Sequence, residues 1–163
     1  MGGLSTLGVI HTAISLVALV SGFIVLIRDK EISPKSRLGQ TYLVATLLTA
    51  VTALGIFRHG GFGPPHVLAI LTLVALGVGA AASYSGFFGG ASRYVQAVCY
   101  SSTFLFHLIP GFTETLTRLP AGAPIAASQD APILQAIDAV LLGVFLAGLI
   151  AQMVRLRVSL RPR

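Results

Sequence analysis

Four histidines and one aspartate, His11, His59, His66, His107 and Asp138, are the titratable groups that stand out against a strongly apolar sequence. Two imidazoles on different helices are a suitable axial pair for a haem b, and His11 with His107 is the pair expected to take that role. The wider set of His11, His107, Asp138, His59 and His66 offers the nitrogen and carboxylate donors that a transition-metal ion such as zinc or copper accepts. The same groups also exchange protons near neutral pH, so Asp138 with the histidines could instead serve a proton relay. No HExxH or CxxC spacing is present, and the single cysteine, Cys99, excludes a disulfide framework or a cysteine-based zinc site. No nucleophile-plus-base pair is recognisable, which leaves an enzyme as the least supported class.

The elements that must hold these residues are membrane spans. Of 163 residues, 55% are hydrophobic and only 10% charged, with a mean hydropathy of +0.88. That composition excludes an ordinary water-soluble domain, a disordered chain and a basic nucleic-acid binder. A hydrocarbon core about 30 Å thick takes roughly 20 apolar residues of helix. Five such stretches follow: residues 7–27, 39–57, 66–88, 93–110 and 133–154. The fold class is therefore all-α, an integral membrane bundle of five transmembrane helices in one domain. Ser33-Pro34 and Gly60-Gly61-Phe62-Gly63-Pro64-Pro65 mark the first two breaks, and Ser92 is placed to cap the fourth helix. Residues 119–132 read as an irregular external loop. Nothing repeats at a fixed period.

Basic residues give the orientation, because they collect on the cytoplasmic side. Arg28, Lys30, Lys35, Arg37, Arg93, Arg155, Arg157, Arg161 and Arg163 fall on one side, and only Arg58 and Arg118 on the other. The N-terminus is thus outside and the C-terminus inside. The net charge of +6 is a topology signal, with anionic lipid headgroups as the natural partner of the basic cytoplasmic tail 155–163.

Depth follows from a rise of about 1.5 Å per residue. His11, sixteen residues from Ile27, lies roughly 24 Å above the inner end; His107, thirteen from Tyr94, roughly 20 Å; and Asp138, sixteen from Val154, roughly 24 Å. His59 and His66 flank the second connection at the outer surface. Ionisable groups at such depths usually face a bundle interior or a water-filled cavity. Plainer roles exist for each. His59 and His66 suit polar helix ends, His11 a bond to a neighbouring helix, His107 a carbonyl freed by Pro110, and Asp138 the dipole at a helix start. Tyr84, Tyr94 and Tyr100 read as headgroup anchors. Residues 77–83, with Gly143, Ala147 and Gly148, read as close helix-packing faces. Thr41, Thr46, Thr49 and Thr52 can bond their own helix and ask for no further role.

The motifs around these residues resemble a bacterial membrane family, the domain of unknown function 2306. Its first helix carries a histidine followed by small and apolar residues ending in glycine, similar to His11, Ser15, Ala18, Leu19 and Gly22, with Ser15 where the family usually has glycine. Its second helix begins with a basic motif, glycine and tyrosine, similar to Arg37, Leu38, Gly39 and Tyr42, and its fourth resembles Arg93 and Tyr100. The family commonly has histidines before helices two and four, where this chain has Lys35 and Ser92. The resemblance implies a multi-pass protein of a bacterial inner membrane and carries no settled activity. Three functional classes remain: binding of haem b or a metal ion between helices near the outer face, a small proton-coupled transporter or permeation protein, and a structural or assembly subunit of a membrane complex.

Overall fold

A computed structural model describes residues 5–57 and 61–160. Among these the chain forms five α-helices: α1 (Thr6–Arg28), α2 (Arg37–Leu54), α3 (Pro64–Tyr84), α4 (Ser92–Leu116) and α5 (Pro132–Ser159). Local chemistry sets their starts. The hydroxyls of Ser5 and Ser36 accept from Gly8 N–H and Gly39 N–H and so cap α1 and α2. Proline opens both α3 and α5, where its missing N–H loses nothing. Ser92 does not cap α4 as expected: the N-cap is Ala91, the last residue of a 3-10 turn, and the Ser92 hydroxyl is buried with no hydrogen-bond partner among the described residues. Pro110 lies within α4, and α5 continues through Arg155 and Arg157, so the first part of the basic tail is helical.

Three of the helices, α1, α3 and α5, are long and apolar enough to cross a membrane, not the five expected. The shortfall has a physical cause. α2 carries Arg37, Gln40, Tyr42 and four threonines, and α4 carries Arg93, Gln96, four serines or threonines before Phe104, His107 and Glu114. These are the helices that hold the polar side chains of the interior, while α1, α3 and α5 turn large apolar residues outward.

The packing explains this division. α1 lies against α2, α2 against α3, and α3 against α4, with a sparser contact from α4 back to α1. The four form a ring of neighbours joined by short connections, with α2 and α4 across its diagonal. These two meet through buried side chains, Tyr42 to Thr103 and Thr46 to His107. α5 packs on the outside of α4. The two hairpins also echo one another. Tyr42 of α2 lies on Gly22 of α1, and Tyr100 of α4 lies on Gly79 of α3, at points where an added Cβ would sit 2.7 Å and 2.3 Å from the respective rings. Each second helix opens on Ser-Arg-x-x-Gln (Ser36 to Gln40, Ser92 to Gln96), and both glutamine amides donate to carbonyls of the first connection, Pro34 and Ile32.

Two expectations about packing need correcting. Tyr100 is only 2% exposed and belongs to the core, not to a headgroup layer. Of the proposed close-packing glycines only Gly79 is tight. Gly77, Gly143 and Gly148 have no atom within 4 Å of an added Cβ.

Candidate functional site: a polar seam through the bundle

One face of α2 carries Tyr42, Thr46, Thr49 and Thr52, spaced by three or four residues and therefore stacked on one stripe. His11 and His107 both come to this stripe, from different helices. His11 of α1 places Nδ1 3.0 Å from the Thr52 hydroxyl. His107 of α4 places Nε2 3.1 Å from the Thr46 hydroxyl. Thr52 gives its own proton to the carbonyls of Leu48 and Thr49, so at that site it accepts and His11 Nδ1–H donates.

The lower half of the seam is a chain of hydroxyls pointing one way. Thr103 donates to the Tyr100 carbonyl at 2.7 Å, which makes Tyr42 the donor in its 2.7 Å bond to Thr103. Tyr42 also lies beside Thr46, one turn along α2, and Thr46 in turn meets His107. A run of His107, Thr46, Tyr42 and Thr103 thus ends on the Tyr100 carbonyl. The ring of His107 stands edge-on to Tyr42, centroids 6.2 Å apart. Further inward, Ser83 donates weakly to the Tyr100 hydroxyl at 3.4 Å. Between the two histidine anchors sits Thr49, 7% exposed, whose hydroxyl has no hydrogen-bond partner among the described residues.

The histidines do not share one level. Their anchors on α2 are six residues apart, a rise of about 9 Å, with His107 the deeper. The similar heights read from the sequence, roughly 24 Å and 20 Å, assumed that α4 starts level with the other helices. Gln96 bonds the Ile32 carbonyl, so the first turn of α4 lies below the connection between α1 and α2.

The remaining expected residues lie elsewhere. His66 sits at the start of α3, 4% exposed, between Phe57 and Phe62 with ring centroids at 4.7 Å and 5.1 Å. Its Nδ1 accepts from the Gly63 N–H, a capping role. Asp138 is half-buried on α5, and no described residue bonds or pairs with it. His59 lies outside the described residues. Among the described residues no group of three or more His, Cys, Asp or Glu side chains is arranged to hold a metal ion. The threonine contacts of His11 and His107 also weigh against two ligand nitrogens converging on one iron, which need a separation of about 4 Å.

No protein-family model, curated protein or solved structure matches the chain. What can be said of the site therefore rests on its chemistry. The residues overlooked in the sequence are Tyr42, Thr46, Thr49 and Thr103. Their signal was present as a polar stripe at helical spacing on α2, but each threonine can also satisfy itself on its own helix backbone.

Proposed function

We propose that this chain is a small proton-coupled transporter or permeation protein of a bacterial inner membrane. In this reading all five helices cross the bilayer, with the N-terminus outside and the C-terminus inside. α1, α3 and α5 face lipid, and α2 and α4 cross with their polar residues turned toward the bundle centre, where polar groups in membrane proteins are normally found. Membership in the family resembled above belongs to the same proposal. It is supported by the places its motif residues occupy, since Gly22, Tyr42 and Tyr100 are the contact points of the two hairpins.

One observation carries the functional reading: two imidazoles from different helices meet a single hydroxyl stripe, with the unpartnered Thr49 hydroxyl between them. A proton arriving at His11 from the outer side passes by way of Thr49, through a transient water, to His107. It then moves along the hydroxyls of Thr46, Tyr42 and Thr103 by each oxygen accepting one proton and releasing another, and the proton that Thr103 releases is taken up by water on the inner side. Asp138, on the far side of α4, is not part of this path.

The test is proton uptake into proteoliposomes under an imposed potential, read by an internal pH dye. Uptake above that of empty liposomes is expected for the parent protein, with loss of at least tenfold for His107→Gln and for His11→Gln. Uptake unchanged by both variants would defeat the relay, as would a Soret band or stoichiometric metal in the purified protein. A structural or assembly role is the second reading. It is favoured by the fact that apart from Thr49 the hydroxyls of the seam satisfy one another.

A further inference from the structure

A groove of about 550 Å³ runs between α4 and α5. Its walls are apolar along most of their length, with Phe104, Leu105 and Leu108 on one side and Leu141, Phe145 and Leu149 on the other. At its inner end the chemistry changes abruptly. Lys30, Gln152, Arg155 and Ser101 close it, and hydrogen bonds hold the side chains of Ser101, Gln152 and Arg155 there. Ser101 donates to Gln152 Oε1 at 2.8 Å, Gln152 donates to the Lys30 carbonyl at 2.9 Å, and Arg155 donates to the Asp29 carbonyl at 3.2 Å.

Among the described residues the carboxylates near that end are paired with other cations. The chain has five carboxylates. Asp29 pairs with Arg28 at 2.7 Å, Glu31 with Arg93 at 2.8 Å, and Glu114 with Arg118. The Arg28 guanidinium hydrogen-bonded to Asp29 holds that carboxyl below its usual range, so it stays ionised and committed to Arg28. Asp130 and Asp138 belong to the opposite end of α5. Among the described residues neither Lys30 nor Arg155 has a carboxylate partner. Both side chains are solvent-exposed at this rim, and two neighbouring cations without a carboxylate of their own form a positive site that suits an anionic headgroup.

From these observations we infer that the α4–α5 groove binds one anionic glycerophospholipid of the inner leaflet, its phosphate at Lys30 and Arg155 and an acyl chain along the groove. This rests on the membrane orientation proposed above and is independent of the relay. The groove is long enough for an acyl chain. From Leu141 to Arg155 is fourteen residues of helix, about 21 Å, against about 15 Å for half of a 30 Å hydrocarbon core. A second apolar groove of about 340 Å³ between Phe112, Ile133 and Val140 lies farther out and has no charged residue in its lining. Gly148 lines the inner groove and has open space where a side chain would stand, so a bulky residue there is a plug.

Native mass spectrometry of the detergent-purified full chain tests this with dioleoyl phosphatidylglycerol, dioleoyl phosphatidylcholine and free glycerol 3-phosphate as probes. One phosphatidylglycerol is expected to bind at least tenfold more tightly than phosphatidylcholine, and glycerol 3-phosphate is not expected to compete. Lys30→Gln with Arg155→Gln should erase the preference, and Arg155→Lys should retain most of it. Gly148→Phe should weaken both lipids, whereas Arg157→Gln, outside the groove, should change nothing. Helicity and melting temperature of each variant show that it is folded. Equal binding of the two lipids would overturn the proposal, as would an equal loss in Arg157→Gln, which signals diffuse attraction to the tail. Competition by glycerol 3-phosphate would assign the cations to a soluble anion instead. A dimer broken by Gly148→Phe and indifferent to lipid would assign the groove to a second copy. Failure of the relay would leave these binding results unmoved, and a chain that stayed soluble without detergent would defeat the membrane reading itself.

Discussion

Thr49→Val is expected to reduce proton uptake by at least tenfold while leaving the protein as stable as before, or about 1 kcal/mol more stable. The two halves of this result have one cause. The Thr49 hydroxyl is buried and unpartnered, and a buried polar group without a hydrogen bond costs about 1–3 kcal/mol. Valine keeps nearly the same volume and removes that penalty. A residue retained only for structure would be better as valine. Thr46→Val makes the contrast. It breaks the hydroxyl chain too, but it strips His107 Nε2 of its partner, so uptake falls and stability falls by about 1 kcal/mol, the scale measured for interhelical hydrogen bonds in membranes. Proteoliposome uptake and unfolding in mixed detergent on the same preparations separate the cases. If Thr49→Val conducts like the parent protein, the hydroxyl is a packing accident and the relay fails.

Two glycines on one helix should respond to alanine in opposite directions. At Gly79 a Cβ would stand 2.3 Å from Tyr100 Cε1 and 2.7 Å from Cδ1, and the tyrosine is 2% exposed with little room to retreat. Overpacking of this kind costs about 1–3 kcal/mol, and Gly79→Val should cost more than Gly79→Ala because its branches add further volume at the same point. Gly77, half a turn away, has nothing within 4 Å. There Gly77→Ala should gain about 0.5–1 kcal/mol, since alanine has less backbone freedom to lose. Thermal unfolding followed by helicity reads both. Equal shifts at the two positions would mean that the α3–α4 contact is looser than described. Uptake should fall in Gly79→Val as well, because Tyr100 supplies the carbonyl on which the hydroxyl chain ends.

The parts of this molecule that a sequence reveals well are those governed by composition over a long window. The runs of α1, α3 and α5 are apolar on most of their surface and long enough to cross a membrane, and their limits fall within a few residues of the observed helices. α2 and α4 were found by the same criterion but for a weaker reason, since their polar residues are legible as interruptions and only packing shows that they share an axis. His11 and His107 stood out because an ionisable side chain is conspicuous in a span. Their partners did not, because a threonine bonded to its own helix and one bonded to a histidine look the same in one dimension. The relative height of His107 was beyond reach for another reason. It depends on where α4 begins with respect to its neighbours, which Gln96 and the Ile32 carbonyl fix across the fold. Tyr100 was assigned to the surface because aromatic belts are common and a glycine opposite it twenty-one residues earlier carries no label.

The marginal position of the last helix bears on how the protein is held together. α5 packs on α4 alone and adds nothing to the hydroxyl chain, yet its inner end is fastened to the first connection by Gln152 and Arg155. The two hairpins are thus held around their tyrosines without it, and α5 serves as a latch that ties the far side of α4 to the turn between the first two helices.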